Sequence, residues 1–215
     1  MSGRGFVIVA AVAAALGLGL LTPSDARAQG VGIRGLVSFG AVQMTAKDSF
    51  DAVFGTSTIN EIGGGVQVTN LWRGVFAEVS GGRSKETGER AFVHDGTVFP
   101  LGISLEATLT PLDIVGGYRF NRGGRIVPFV GGGYTSMAYQ ETSPFAVAGD
   151  DVDERYGGFV ALGGVEVRTL SWLHVRGEAR YRQVPDALGA GGVSSVFGED
   201  SLGGLRLGVA VMIGR

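Results

Sequence analysis

The chain of 215 residues offers few side chains from which a reactive centre could be built: two histidines, His94 and His174, no cysteine, and scattered carboxylates. Without cysteine there is no thiolate nucleophile, no disulfide and no sulfur-ligated metal site. A hydrolase built on His174 needs a nucleophilic serine beside it. Val175 and Arg176 follow it and Ser171 falls on an expected turn, so His174 reads as a member of a hydrogen-bond network. His94, in FVHDGT beside Asp95, reads as a loop residue. GVGIRG at 30–35 matches G-x-G-x-x-G, but that phosphate cradle needs a preceding strand and a following helix, and this one runs into a strand. GDDVDER at 149–155 gathers Asp150, Asp151, Asp153 and Glu154; it lacks the twelve-residue Ca²⁺-loop pattern and reads as a solvated acidic loop. There is no GK[ST] and no HExxH, and a net charge of −2 supplies no basic field for nucleic acid. No catalytic residue, cofactor or metal ligand is assigned, and an enzyme is not expected.

The charged residues that remain follow a different rule. In LHVRGEARYR (173–182), Leu173, Val175, Gly177, Ala179 and Tyr181 alternate with His174, Arg176, Glu178, Arg180 and Arg182. Successive strand residues point to opposite faces, so this is a strand with one apolar and one charged side. The same separation recurs. Ile33, Val37, Phe39 and Ala41 oppose Arg34 and Ser38; Val75, Ala77 and Val79 oppose Phe76, Glu78 and Ser80. Phe159, Ala161, Val165 and Val167 oppose Glu166 and Arg168, and Leu205, Leu207, Val209, Val211 and Ile213 oppose Arg206.

Eight such strands are expected, near 31–44, 60–70, 73–84, 103–120, 126–140, 155–169, 172–184 and 201–213. Their connections alternate in length. Those at 70–72, 121–125 and 169–172 are tight, whereas 45–59, 85–102, 141–154 and 185–200 are long. In an up-and-down antiparallel barrel all long loops then lie at one end, the signature of outer-membrane barrels. No long helical periodicity competes with this reading. The 39 glycines, often paired within strands, suit a narrow and sharply curved barrel. Ahead of the strands, Arg4, the apolar run Phe6–Leu21 and ARA at 26–28 read as a secretory signal peptide over 1–28. The barrel domain then occupies 29–215.

A soluble barrel would turn the apolar face inward; a membrane barrel turns it to lipid and the charges to the lumen. Three features favour the second: small residues share the charged face, every basic residue within the expected strands is arginine, and mean hydropathy is +0.26 in an exported chain. Only helices and closed barrels satisfy all backbone groups in lipid. A lumen network is therefore expected from Glu61, Glu78, Glu106, Glu166 and Glu178 with Arg34, Arg168, Arg176, Arg180, Arg182 and Arg206, His174 among them. With Leu170-Ser171-Trp172 as a three-residue turn, Glu166 falls opposite Arg176 and Arg168 opposite His174, which predicts a Glu166–Arg176 ion pair. In SLEATLTPLDIVGGYRF the charges Glu106, Asp113 and Arg119 do not share parity; a bulge at Pro111 would reset the register, and Asp113 and Arg119 are left without a face. Aromatics near strand ends, among them Phe54, Trp72, Tyr118, Phe120, Tyr139, Tyr156 and Trp172, read as interfacial girdles.

With its alternating loop lengths and stretches such as TPLDIVGGYRF, VPFVGGGY and LGGVEVRTLSWLHVRGEARYR, the chain resembles the small eight-stranded outer-membrane β-barrels of the OmpA, OmpX and OmpW type. The resemblance implies an all-β, eight-stranded antiparallel transmembrane barrel in the cell outer membrane, surrounded by outer-membrane lipid and inserted by the barrel assembly machinery. Many members end in an aromatic residue; this chain ends VMIGR. The lumen of eight strands is just wide enough for side chains to fill. The role expected is structural or surface-interaction, through a partner met by the four long loops. A narrow or gated small-solute channel is the alternative, and a lipid-modifying enzyme is disfavoured by the missing Ser–His arrangement.

Overall fold

Alternation of apolar and polar residues, with tight turns between runs, drives the chain into antiparallel strands. The computed structural model describes residues 30–121, 123–143, 152–188 and 192–214. The signal-peptide expectation over 1–28, and Asp150 and Asp151 of the acidic loop, lie outside these residues. Eight strands close on themselves in sequence order: β1 (Gly32–Met44), β2 (Thr58–Thr69), β3 (Val75–His94), β4 (Thr97–Arg119), β5 (Ile126–Thr142), β6 (Val152–Arg168), β7 (Leu173–Val184) and β8 (Leu202–Gly214). β1 pairs with β8 antiparallel, from Arg34 opposite Gly214 to Met44 opposite Gly204, so the sheet has no open edge within the barrel wall.

The wall is inverted relative to a soluble barrel. Val37, Phe39, Ile114, Val130, Phe159, Leu207 and Val209 stand outward and exposed, while the alternate positions are buried. Strands of 12 or 13 residues, as in β1, β2, β7 and β8, exceed the roughly 9–11 residues a tilted strand needs to cross a bilayer. Among the described residues no helix is long and apolar enough to cross a membrane.

Two strands overshoot. The segment 85–102, expected as a loop, is instead the end of a hairpin in which β3 runs to His94 and β4 begins at Thr97. Asp95 and Gly96 both take positive φ (49° and 73°), as a two-residue hairpin turn of the primed type requires. His94 thus sits at a hairpin tip, exposed and 3.6 Å from the Asp95 carboxylate. The single irregularity of the β3–β4 ladder falls between Glu89 and Ala91, not at Pro111, which stands opposite Met137 in unbroken β4–β5 register. No bulge at Pro111 resets the parity.

Two short helices lie in the long loops, where the sequence showed no helical period: α1 (Lys47–Phe54) and α2 (Val193–Phe197). The cap of α1 comes from far along the chain. The Asp48 and Ser49 backbone N–H groups donate to the Glu199 carboxylate at 3.0 and 2.8 Å, and the Ser49 hydroxyl donates to it at 2.5 Å. A carboxylate on unpaired amides at a helix start offsets the local dipole. At its other end Gly55 ends the helix in the left-handed conformation (φ 71°). The helix lies against β3 at Gly88, where a Cβ would fall 2.1 Å from the Val53 carbonyl oxygen. Only a glycine admits this approach.

Candidate functional site

Two features occupy the interior, and both arise from the inward parity of the strands. The first is a charge lattice. Glu61 (β2), Glu78 (β3), Asp113 (β4) and Glu178 (β7) meet Arg176, Arg180 and Arg182 (β7) and Arg206 (β8), all buried. Arg180 bridges Asp113 and Glu78 at 2.6 and 2.8 Å; Arg182 bridges Glu61 and Asp113 at 2.7 and 2.9 Å. Arg176 donates to Glu78 at 2.6 Å, and its guanidinium lies 4.2 Å from the ring centre of Phe129, a cation–π contact. Arg206 donates to Glu178 at 2.8 Å. Three further approaches, Arg176 Nη2 to Glu178 (2.8 Å), Arg206 Nε to Glu61 (2.9 Å) and Arg180 Nε to Glu178 (3.2 Å), are off line for hydrogen bonds and act as charge contacts. Thr135 and Ser80 complete the lattice by hydrogen bonds to Asp113 and Glu78.

Four guanidiniums meet four carboxylates, so the lattice is electrically balanced. Isolated charges removed from water would each cost several kcal/mol; mutual pairing and the planar forks of arginine offset that cost. Space for the forks comes from glycine. At the facing pair Gly40 and Gly208, added Cβ atoms would lie 3.0 Å from Arg206 Nε and 2.8 Å from its Nη1.

A smaller cluster lies toward the short-turn end. Glu166 accepts from Arg34 at 3.2 Å and from Arg119 at 2.6 Å, and His174 is buried beside them. Arg168 is on the inward face near this cluster, half-buried at the end of β6. Among the described residues the electrostatic neighbours of His174 are Arg34, Glu166, Arg168 and Arg119.

The placement of the expected network residues is then as follows. Arg34, Glu61, Glu78, Glu166, His174, Arg176, Glu178, Arg180, Arg182 and Arg206 point inward and are buried. Glu106 does not. It stands on the outward side of β4, partly exposed, and pairs with Lys85 at 2.7 Å. Because β4 has no reset, odd positions stay inward, which puts Asp113 and Arg119 in the lumen instead. The β6–β7 register is Glu166 opposite Arg176 and Arg168 opposite His174, as the three-residue turn requires. The predicted Glu166–Arg176 ion pair nevertheless does not form. Glu166 is taken by two arginines from β1 and β4, and Arg176 reaches to Glu78 and Glu178.

The second feature is a cavity of about 540 Å³ at the long-loop end. Its floor includes Leu105, Tyr139 and Ala187; α1 contributes Phe50, Val53 and Phe54, the hairpin Ala91 and Leu101, and α2 Val193 and Ser194. Below it Val42, Met44, Ile59, Leu109, Met137, Val184 and Leu202 form an apolar layer over the charge lattice. Tyr139 and Tyr156, expected in an aromatic girdle, face inward to the cavity because they share the parity of the lumen residues, and Phe54 lies in its lid. Their hydroxyls donate to Glu141 and Glu154 respectively. Trp72, Tyr118, Phe120 and Trp172 do stand exposed at the short-turn end. Among the described residues no group of His, Asp and Glu is placed to hold a metal ion.

A closed eight-stranded barrel, apolar outside and charged within, is an integral membrane barrel. The sequence profile of the outer membrane protein beta-barrel domain matches residues 10–211, and the chain belongs to that family and to the outer membrane. Among solved structures, Neisserial surface protein A is similar over 86% of this chain and 98% of its own, with a TM-score of 0.51 and 12% identity. Ail, the attachment invasion locus protein of Yersinia pestis, matches over 85% and 99% (TM-score 0.49, 9% identity). The N-terminal barrel of OprF from Pseudomonas aeruginosa matches over 85% and 97% (TM-score 0.48, 14% identity). At such identities the likeness is one of fold. No curated protein matches the chain.

Proposed function

We propose that this barrel is a sealed anchor whose working surface is its long-loop mouth, and that its role is structural or surface-interaction rather than solute transport. The observation that carries this reading is the filled lumen. Guanidinium and carboxylate groups interlock across it, and the apolar layer from Val42 to Leu202 lies above them. A solute would have to separate buried ion pairs, at several kcal/mol each, and then pass an apolar layer. The outward apolar face meets outer-membrane lipid, the barrel assembly machinery acts on the chain during insertion, and the long loops meet the surface partner. The cavity at the mouth contains Ser49 and Ser194 but no histidine among its lining residues, which favours binding over hydrolysis.

The test is electrical. The mature chain, refolded from detergent and inserted in a planar bilayer, is expected to stay silent while a heat-sensitive gel shift reports the folded barrel. Discrete openings whose size changes on Arg176→Ala or Glu178→Ala would overturn the reading and make the lattice a selectivity filter.

A further inference from the structure

The cavity at the mouth is half open, and its mixed chemistry defines what would enter it. Its volume of about 540 Å³ lies in the range of small-molecule sites. Most of the lining is apolar, supplied by lid, hairpin and floor. One wall differs. On β5 and β6, Tyr139, Glu141, Glu154 and Tyr156 line the cavity side by side, with Tyr139 directly opposite Glu154 across the ladder. Each tyrosine hydroxyl donates to the carboxylate two residues away on its own strand, which holds both carboxylates beside the aromatic rings. Among the described lining residues Arg90 is the one guanidinium and Glu141 and Glu154 the two carboxylates, so these residues together carry an excess of negative charge.

We propose that this cavity binds a small amphiphile with a single ammonium head and an apolar body. Carboxylates attract the head electrostatically and the half-buried Tyr156 ring attracts it through its quadrupole, the combination that recognises quaternary ammonium groups. Glu141 and Glu154 lie toward the open side, half-buried and exposed, while the Tyr139 ring is buried in the floor. The head therefore sits at the rim and the apolar body points down toward Leu105 and Phe50. An anionic amphiphile meets repulsion at the same rim, and a neutral one forgoes the attraction. This assignment rests on the reading of the mouth as the working surface and names the ligand class for it.

The experiment is titration calorimetry on the mature chain in lipid nanodiscs, with empty nanodiscs as blank. The probes are phenylbutyltrimethylammonium, phenylbutanol and phenylbutyl sulfate. The expected result is saturable one-to-one binding of the cation, at least tenfold tighter than either analogue. The double substitution Glu141→Gln with Glu154→Gln is expected to weaken the cation at least tenfold and leave phenylbutanol unchanged. Ala91→Trp, which fills the cavity, is expected to abolish both. Each variant is checked for the heat-sensitive gel shift, and Glu154→Gln alone, at an exposed position, serves if the double variant does not fold. Absence of saturable cation binding, equal binding of the three probes, or a cation affinity indifferent to the carboxylates would overturn the assignment. Bilayer silence with no cation binding removes only the ligand assignment. Channel openings remove the reading of the mouth, whatever the calorimetry shows.

Discussion

At the scale of single residues, the lumen is a set of exchanges between long side chains. Arg180 touches Glu78 and Asp113 on different strands, so its loss takes one partner from each and leaves the balanced lattice with one uncompensated negative charge. Breaking one side of a buried pair costs about 3–5 kcal/mol, because the remaining charge stays buried. Arg180→Met is therefore expected to lower unfolding stability by at least about 3 kcal/mol, measured by urea titration in lipid vesicles. A double-mutant cycle separates true partners from register neighbours. Glu78→Gln combined with Arg176→Gln is expected to show coupling above about 1 kcal/mol, whereas Glu166→Gln combined with Arg176→Gln shows a clearly smaller value. The reverse order would restore the cross-strand pair that register alone suggests.

At the scale of elements, the mouth depends on α1, and α1 depends on contacts made elsewhere. It has eight residues, too few to be stable alone, and no side-chain cap of its own. Glu199 supplies the cap from the β7–β8 connection, and Gly88 supplies the flat seat on the hairpin. Glu199→Ala is expected to cost about 1–2 kcal/mol of local stability, the usual value of a helix cap. Because the barrel wall is untouched, the heat-sensitive gel shift should persist. Limited proteolysis within 45–57 should accelerate, and Gly88→Val should do the same by pushing the helix off its seat. Unchanged cleavage in both variants would mean that the helix is held by other contacts.

For the whole molecule, the decisive property is the inverted wall. Val209 lies midway along β8, outward and 58% exposed, where lipid replaces water. Val209→Arg is expected to cost about 2–4 kcal/mol in vesicles, the price of a basic residue near a bilayer midplane. Thr87→Arg, on the exposed side of the overshooting hairpin, should fall within about 0.5 kcal/mol of the parent. If both substitutions cost the same, the apolar belt would not be the membrane-facing surface.

Which face of a strand is apolar is written in neighbouring residues, because side chains alternate with a period of two irrespective of distant partners. The sequence alone therefore determined eight strands, the tight connections at one end of them, and ten inward residues from Arg34 to Arg206. Glu106, Asp113 and Arg119 were misread or unread only because a bulge was supposed at Pro111; plain parity carried through that proline places all three. Asp95-Gly96 was likewise a legible hairpin signal inside a segment read as loop. Tertiary structure alone decided the rest. Arginine and glutamate side chains reach across the lumen to strands far apart in sequence, so ion-pair choice depends on closure of the barrel. The cap of Glu199 on α1 and the wall of tyrosines and carboxylates at the mouth exist only once loops distant in the chain meet over one rim.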